Sequence, residues 1–318
     1  MDLLSQVSAS MRADRPRWAH LTGHAAWACR FPQVPGAAFH FVLGGTASLT
    51  VPGGERTTLG AGSVALVPAG LPHRLAGGPT PAGDGAGAEE ALSPELFDAA
   101  PGAFRIGAPG GPDGGQEPAA VLLSGYFPLD RSQCHPLLDD LPPVLHLPAR
   151  PAQEAPLRGV LDLLRHEQDT PGMGSDAATG VLLDTLFLYV LRSWYREHGA
   201  GTGWGPALND PAISKVLCAM HNSPGLPWTV ESLGSLAGLS RSAFARRFTD
   251  LVGSPPLAHL TRVRMVTAAQ RLRQSDTTLS VIAQQAGYAS EFAFSAAFKR
   301  AMGTAPSTYR RGAAAYAA

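Results

Sequence analysis

Cysteine is scarce in this sequence: Cys29, Cys134 and Cys218 are the whole complement of 318 residues, widely spaced and without a CxxC pair. Three scattered thiols cannot all be tied internally, which excludes a disulfide-stapled secreted scaffold and points to a reducing cytosol. Charge is sparse as well, at 16% of residues, and no apolar run approaches the roughly 18 to 20 residues that a membrane span needs. The first residues lack the apolar core of a signal peptide, so a cytoplasmic location is expected. What remains plentiful is hydrophobic residues, at 45%, enough to bury cores and to exclude broad disorder. The 36 Gly and 28 Pro predict at least one long irregular stretch, and the length suits two domains with a connector.

The zero formal net charge hides an asymmetry. Residues 208 to 318 carry 12 Lys/Arg against 5 Asp/Glu, a net +7, which leaves 13 against 20, a net −7, for residues 1 to 207. The C-terminal third therefore has the basic footprint that a polyanion would meet.

In the acidic part, Phe39 to Leu43, Ala47 to Val51 and Val64 to Val67 form short, partly alternating runs broken by Pro52-Gly53-Gly54 and Gly60-Ala61-Gly62. This spacing predicts a small antiparallel barrel or sandwich. Residues 77 to 119 are too rich in Gly, Ala and Pro to pack a core and read as a mobile insertion, with a short helix over 93 to 99. A strand over Ala120 to Phe127 is expected to complete the barrel. Two amphipathic helices follow, 155 to 168 and 175 to 198, with Leu157, Leu161 and Leu164 on one stripe and Leu183, Leu186, Val190 and Trp194 on the other. Such a hairpin can cover a barrel or pair two copies of the chain as a homodimer. Residues 199 to 208 read as a linker between a domain over 1 to 198 and a helical one over 209 to 318.

The helical part contains an internal repeat. The run from Thr229 to Ser240 matches the run from Thr278 to Ala289, with Ala237-Gly238-Leu239 answering Ala286-Gly287-Tyr288 at an offset of 49 residues. Beyond the turn the offset is 50: Phe248 answers Phe298, Gly253 answers Gly303 and Pro256 answers Pro306. Each copy reads as a capped helix, a Gly-containing turn and a second helix closed by Gly, the helix-turn-helix plan. Thr229 and Thr278 are the expected N-caps, as Asp210 is for the helix that Pro211 opens. Leu233, Phe244 and Phe248 in the first unit, and Ile282, Phe294 and Phe298 in the second, fall at core spacing. Ser240, Arg241, Ser242 and Arg246 fall on the opposite face, where an Arg can bond a guanine edge two ways. In the second unit Ser290, Glu291 and Phe292 occupy the start of the helix, with Lys299 and Arg300 near its end as phosphate contacts. A long helix from Pro256 to Arg273 should set the spacing of the two units, about 34 Å if they enter successive major grooves.

On the first-unit run LSRSAFARRF, the second-unit run GYASEFAFSAAFKRAMGTAPSTYR and the helix that joins them, residues 210 to 312 resemble the DNA-binding domain of the AraC/XylS family. The resemblance implies that Ser242, Arg246, Glu291, Phe292 and Ala296 face bases; Ala296 stands where an Arg is common, so the second unit would serve mainly to anchor the backbone. It further implies a transcription regulator, an activator with RNA polymerase as partner, acting on double-stranded DNA.

Residues 1 to 198 resemble more loosely the cupin-type sensor domain of one branch of that family, through Phe39-His40-Phe41-Val42-Leu43, the run from Leu59 to Leu75, and the run opening at His135. Catalytic cupins present two His one residue apart plus a Glu and a further His. Here Val42 stands in place of the second His, which leaves His40 and His73 as a candidate divalent-metal pair; a His on an apolar strand is more often a hydrogen-bonded core residue. Ser124 stands where oxidant-sensing members carry a Cys, which argues against a thiol switch. An unidentified small-molecule effector in the barrel mouth, lined by Trp27, Phe39, His40, Phe41 and His73, is the more general expectation. The fold expected is thus α+β and multidomain: a cupin-like β-barrel with a helical hairpin, then an all-α tandem helix-turn-helix domain. A cupin enzyme fused to a DNA-binding module, which would need a complete metal site, and an architectural DNA binder with a degenerate sensor, which would bind without any effector, are the alternatives.

Overall fold

The computed structural model describes residues 4, 14–24, 26–78, 90–92, 97, 103–106, 118–129, 138, 141–149, 155–197 and 204–316. Residues 12 to 194 form one compact unit, and the residues from Tyr195 onward lie in another.

The first unit is built on ten strands among the described residues: β1 (Arg17–Gly23), β2 (Trp27–Phe31), β3 (Gly36–Thr50), β4 (Thr57–Gly60), β5 (Val64–Val67), β6 (His73–Gly77), β7 (Glu90–Ala91), β8 (Ala103–Ile106), β9 (Ala120–Pro128) and β10 (Leu145–Leu147). Their order is β7-β2-β6-β3-β9-β1-β8, with β4, β5 and β10 joined through β3 and β5, which gives a nearly closed barrel. The two runs read separately at 39 to 43 and 47 to 51 belong to one bent strand. Residues 36 to 45 of β3 pair with β9, whereas residues 46 to 50 pair with β4 and β6, and the register slips between Val42 and Gly44. Gly45 sits at this corner with φ 73°, and a Cβ there would lie 2.0 Å from the Ala119 carbonyl oxygen. Only glycine fits both the bend and the close approach.

Inward residues Ala19, Leu21, Trp27, Phe31, Val42, Leu49, Leu59, Leu75, Leu122 and Tyr126 form the barrel core. Helices α1 (Ala155–Asp169) and α2 (Ser175–Glu197) take their amphipathic stripes to the protein interior, with Leu157, Leu161, Leu164, Leu183, Leu186 and Val190 all buried. Phe187 of α2 meets Phe127 of β9 at 4.8 Å between ring centroids. Arg165 of α1 donates to the Leu43 carbonyl at 2.9 Å, satisfying the peptide that the β3 irregularity frees.

The reading of 77 to 119 as an unstructured insertion is corrected in part. Glu90–Ala91 pairs in parallel with β2, and Ala103–Ile106 pairs in parallel with β1. Leu92, Phe97 and Ile106 are buried in the barrel core, so isolated apolar residues in a Gly- and Ala-rich stretch return to the sheet. The expected helix over 93 to 99 lies, apart from Phe97, outside the described residues, as do Cys134 and His135.

The second unit is helical: α3 (Trp204–Asn209), α4 (Pro211–Asn222), α5 (Val230–Ala237), α6 (Arg241–Val252), α7 (Pro256–Gln274), α8 (Leu279–Gln285), α9 (Glu291–Met302) and α10 (Pro306–Tyr316). The linker expected over 199 to 208 is shortened, because residues 204 to 209 form α3. Its Trp204 is buried at 5.5 Å from the His259 ring of α7, a gain that outweighs a Gly- and Pro-rich sequence of poor helix propensity. Helix α7 is the shared spine. Its Met265, Ala268, Ala269 and Leu272 pack with Ile282, Phe294 and Phe298, while its His259 meets Phe248 at 5.8 Å. Among the described residues, no helix is long and apolar enough to cross a membrane.

Candidate functional site

The two helix-turn-helix units are built alike, residue by residue. In the first, Thr229 accepts from the Ser232 N–H at 3.0 Å, and Ser232 accepts from the Thr229 N–H at 2.9 Å, a reciprocal cap that starts α5. Gly238 ends α5 with φ 69° and donates to the Gly234 and Ser235 carbonyls, turning the chain toward α6. Ser240 then caps α6 by accepting from the Ala243 N–H at 3.3 Å. In the second unit Gly287 has φ 77°, and Ser290 accepts from the Ala293 N–H at 3.2 Å to start α9. Thr278 holds the N-cap position of α8 but its side chain makes no cap bond, so that helix start is weaker than its counterpart. Gly253 and Gly303 close the two second helices with the same φ of 74°.

Buried phenylalanines fix which way each second helix faces. Phe244 and Phe248 meet at 5.6 Å between ring centroids, and so do Phe294 and Phe298. All four are fully buried. With that side turned inward, Arg241, Ser242 and Arg246 on α6, and Glu291, Phe292, Ala296, Lys299 and Arg300 on α9, are exposed. Phe292 is 85% exposed, an unusual position for a large aromatic ring. Ser242 and Arg246 share one ridge by their i, i+4 spacing, as do Phe292 and Ala296.

Several cations that raise the basic count are used within the fold. Arg247 bonds Asp210 through Nε at 2.8 Å, and Asp210 also accepts from the Ala212 and Ile213 N–H groups at 3.0 Å. Burial alone would raise the Asp210 carboxyl, but those N–H groups and the Arg247 guanidinium hold it below the usual carboxylate range. Arg264 donates to the Pro224 and Leu226 carbonyls at 2.7 and 2.8 Å, and Arg273 stacks over the Tyr309 ring. Arg241 pairs with Glu231 at 3.3 Å; both ends are exposed, so the pair is weak and can exchange.

In the barrel the five residues expected around an effector do not share a face. His40 and His73 point inward, and Phe31 stacks on His73 at 4.8 Å. Phe39 points the other way, meeting Phe127 at 4.8 Å between ring centroids, and Phe41 follows it because side chains alternate along a strand. A pocket lined jointly by Phe39, Phe41 and His40 is therefore corrected. The Trp27 ring covers the backbone of Gly23 and Gly77, where an added Cβ would lie 2.2 and 2.4 Å from its Nε1.

His40 and His73 form a closed chain of hydrogen bonds. Their Nε2 atoms stand 2.7 Å apart; His40 Nδ1 lies 3.0 Å from the Ser124 hydroxyl, and His73 Nδ1 lies 2.7 Å from the Leu71 carbonyl. The carbonyl can only accept, so His73 donates from Nδ1 and accepts at Nε2. His40 then donates from Nε2 and accepts the Ser124 O–H at Nδ1. Every bond is satisfied with both rings neutral. Burial accordingly holds His40 well below its ordinary range and brings His73 down to about 4. As a metal site the pair supplies two imidazoles, where structural and catalytic zinc centres draw at least three protein ligands. Among the described residues no three His, Cys, Asp or Glu are gathered closely enough to hold an ion.

Comparison with known proteins places both halves. Residues 2 to 196 match the cupin family model, and residues 233 to 312 match a helix-turn-helix domain. Over 313 residues, covering 98% of each chain, the protein is 32% identical to one described as an AraC-like transcription regulator in Streptomyces lividans. It is 31% identical over 274 residues to the RCS-specific HTH-type transcriptional activator RclR of Escherichia coli K12, covering 86% of this chain and 83% of that one. Among solved structures, the DNA-binding domain of AdpA in complex with a target DNA is 34% identical over 34% of this chain and 96% of that one, with a TM-score of 0.32.

Proposed function

The chain belongs to the AraC-like family of DNA-binding transcription regulators, with an N-terminal cupin domain and a C-terminal helix-turn-helix domain, and from that membership we propose that it is a cytoplasmic activator whose cupin domain answers a small-molecule or stress signal. The activator role is supported by the name of the relative RclR. The observation that carries the reading is the pair of exposed helix faces, α6 and α9, held in matching orientation by Phe244, Phe248, Phe294 and Phe298.

On that reading Ser242 and Arg246 meet base edges in one major groove, with Arg241 at its margin. Phe292 offers its exposed ring to a thymine methyl in the next groove, and Glu291 can accept from a cytosine amino group. Lys299 and Arg300 hold phosphate, as do the hydroxyls of Ser240 and Ser290, whose hydrogens are left over by their capping bonds. RNA polymerase is the protein partner at the promoter. A second copy of the chain is the other, since Leu163, Met173 and Val181 of the α1–α2 hairpin are 52%, 106% and 66% exposed; light scattering should then read twice the 33.1 kDa chain mass.

The test is a footprint of the full-length protein on a genomically mapped site. Two protected major-groove segments about one helical turn apart are expected. Protection of a single segment, or none at any mapped site, would set the reading aside.

A further inference from the structure

The turn of the second helix-turn-helix unit touches the segment that leads into the first, and one side chain joins them. Arg264, midway along α7, donates from Nε to the Pro224 carbonyl at 2.7 Å and from Nη2 to the Leu226 carbonyl at 2.8 Å. Both carbonyls belong to residues 223 to 228, which run from the end of α4 straight into the Thr229 cap of α5. That segment is itself braced. The Trp228 indole donates to the Ser223 carbonyl at 2.9 Å, the Leu226 N–H donates to the same carbonyl at 3.2 Å, and Pro224 and Pro227 each fix a backbone angle.

The same segment meets the second unit backbone to backbone. A Cβ on Gly225 would lie 2.4 Å from the Gln285 carbonyl oxygen, at the end of α8. A Cβ on Gly287 would lie 2.8 Å from the Gly225 carbonyl oxygen and 2.8 Å from Arg264 Nη2. The repeat contains its own control. Gly238, which answers Gly287 in the first unit, has the same left-handed backbone, φ 69° against 77°, yet a Cβ there would meet nothing within 4 Å. Crowding at Gly287 is therefore no requirement of the turn itself; it comes from the contact with residues 223 to 228.

On the regulator reading, on which this rests, we infer that Arg264 is a positioning residue: it locks residues 223 to 228 onto the turn at 285 to 287, so that α6 and α9 form one rigid reader that accepts a single spacing of its two half-sites. Helix α7 alone joins the units along one line. The contact between Gly225 and Gly287 adds a second attachment beside it, and the Arg264 fork ties segment, turn and helix together. A lysine cannot replace it, because one ammonium on a flexible stem lacks the planar pair of donors that reaches both carbonyls. Inserting one base pair between the half-sites turns the second by about 34° and moves it by about 3.4 Å. A rigid reader meets that displacement only by deforming the duplex.

The full-length protein is titrated with the mapped site and with two derivatives, one base pair inserted or one removed between the half-sites, at one salt concentration. Wild type should bind both derivatives about tenfold or more weakly than the native site. In Arg264→Lys that penalty should shrink several-fold, while affinity for a duplex carrying the first half-site alone stays unchanged. Gly225→Ala, at a glycine without a positive φ, pries the same contact apart and should act alike if the arginine variant fails to fold. Without DNA, bioorthogonal spin labels at the exposed Asp250 of α6 and Ala301 of α9 should give one narrow distance in wild type and a clearly broader distribution in either variant. Wild-type tolerance of the changed spacing, or variants that keep the wild-type penalty and the narrow distance, would overturn the inference. So would an equal loss on all three duplexes, which would mark Arg264 as a phosphate contact. If wild type binds no mapped site, the regulator reading fails, and the label distances still decide whether Arg264 locks the two units.

Discussion

Acidification from pH 6.5 to about 4 is expected to remove about 3 kcal/mol of stability through His73 alone. In the folded barrel His73 stays neutral down to about pH 4, because burial disfavours its charged form. In the unfolded chain the same ring takes up a proton near 6.5. The unfolded state thus binds more protons throughout that window, and stability falls as the pH falls through it. Above pH 6.5 the contribution is flat.

His40 acts in the same direction, and its proton would also break the chain. A protonated His40 would donate from both nitrogens, and the Ser124 hydroxyl would have to reverse. The helical unit adds a second pair: His221 and His259 have Nε2 atoms 3.3 Å apart, and burial brings them down to about 4 and about 3. The carboxylates with lowered values, Asp14 and Asp210, surrender their stabilisation only below 3.8. Denaturant midpoints taken in steps between pH 7 and 4.5 should therefore fall steadily through the histidine window, before those carboxylates titrate. A flat profile there would show that the buried imidazoles are not held neutral as the hydrogen bonds imply.

Legibility differed between the halves for physical reasons. The helical unit announces itself because its constraints are local: a cap, a left-handed glycine and two phenylalanines four apart recur with an offset of 49 or 50 residues. The capped starts at Thr229, Ser240 and Ser290 and the closing turns at Gly253 and Gly303 all lie within a helix turn of the residues they serve. Which arginines would be spent internally was not legible. The bonds of Arg247 to Asp210 and of Arg264 to the Pro224 carbonyl span 37 and 40 residues. In the barrel the strands could be read from alternation, but the bend in β3 depends on its pairing with β9 and β6, which no local pattern encodes. Taking Phe39, His40 and Phe41 as one pocket overlooked the same alternation that identified the strand.

Replacing Arg246 by Ala shows whether α6 reads bases through its exposed ridge. Arg246 is exposed on the ridge it shares with Ser242, opposite the buried Phe244 and Phe248. Its removal leaves the core untouched, so any loss belongs to the interface. An arginine bidentate to guanine contributes about 1 to 3 kcal/mol of discrimination, whereas a phosphate contact weakens all sequences alike. Affinities of wild type and Arg246→Ala should be measured on the mapped site and on versions of it with each base pair changed in turn, at one salt concentration. A loss of about 1 to 3 kcal/mol on the native site and indifference of the variant to one particular base pair are expected. Unchanged affinity, or an equal loss on every sequence, would contradict it.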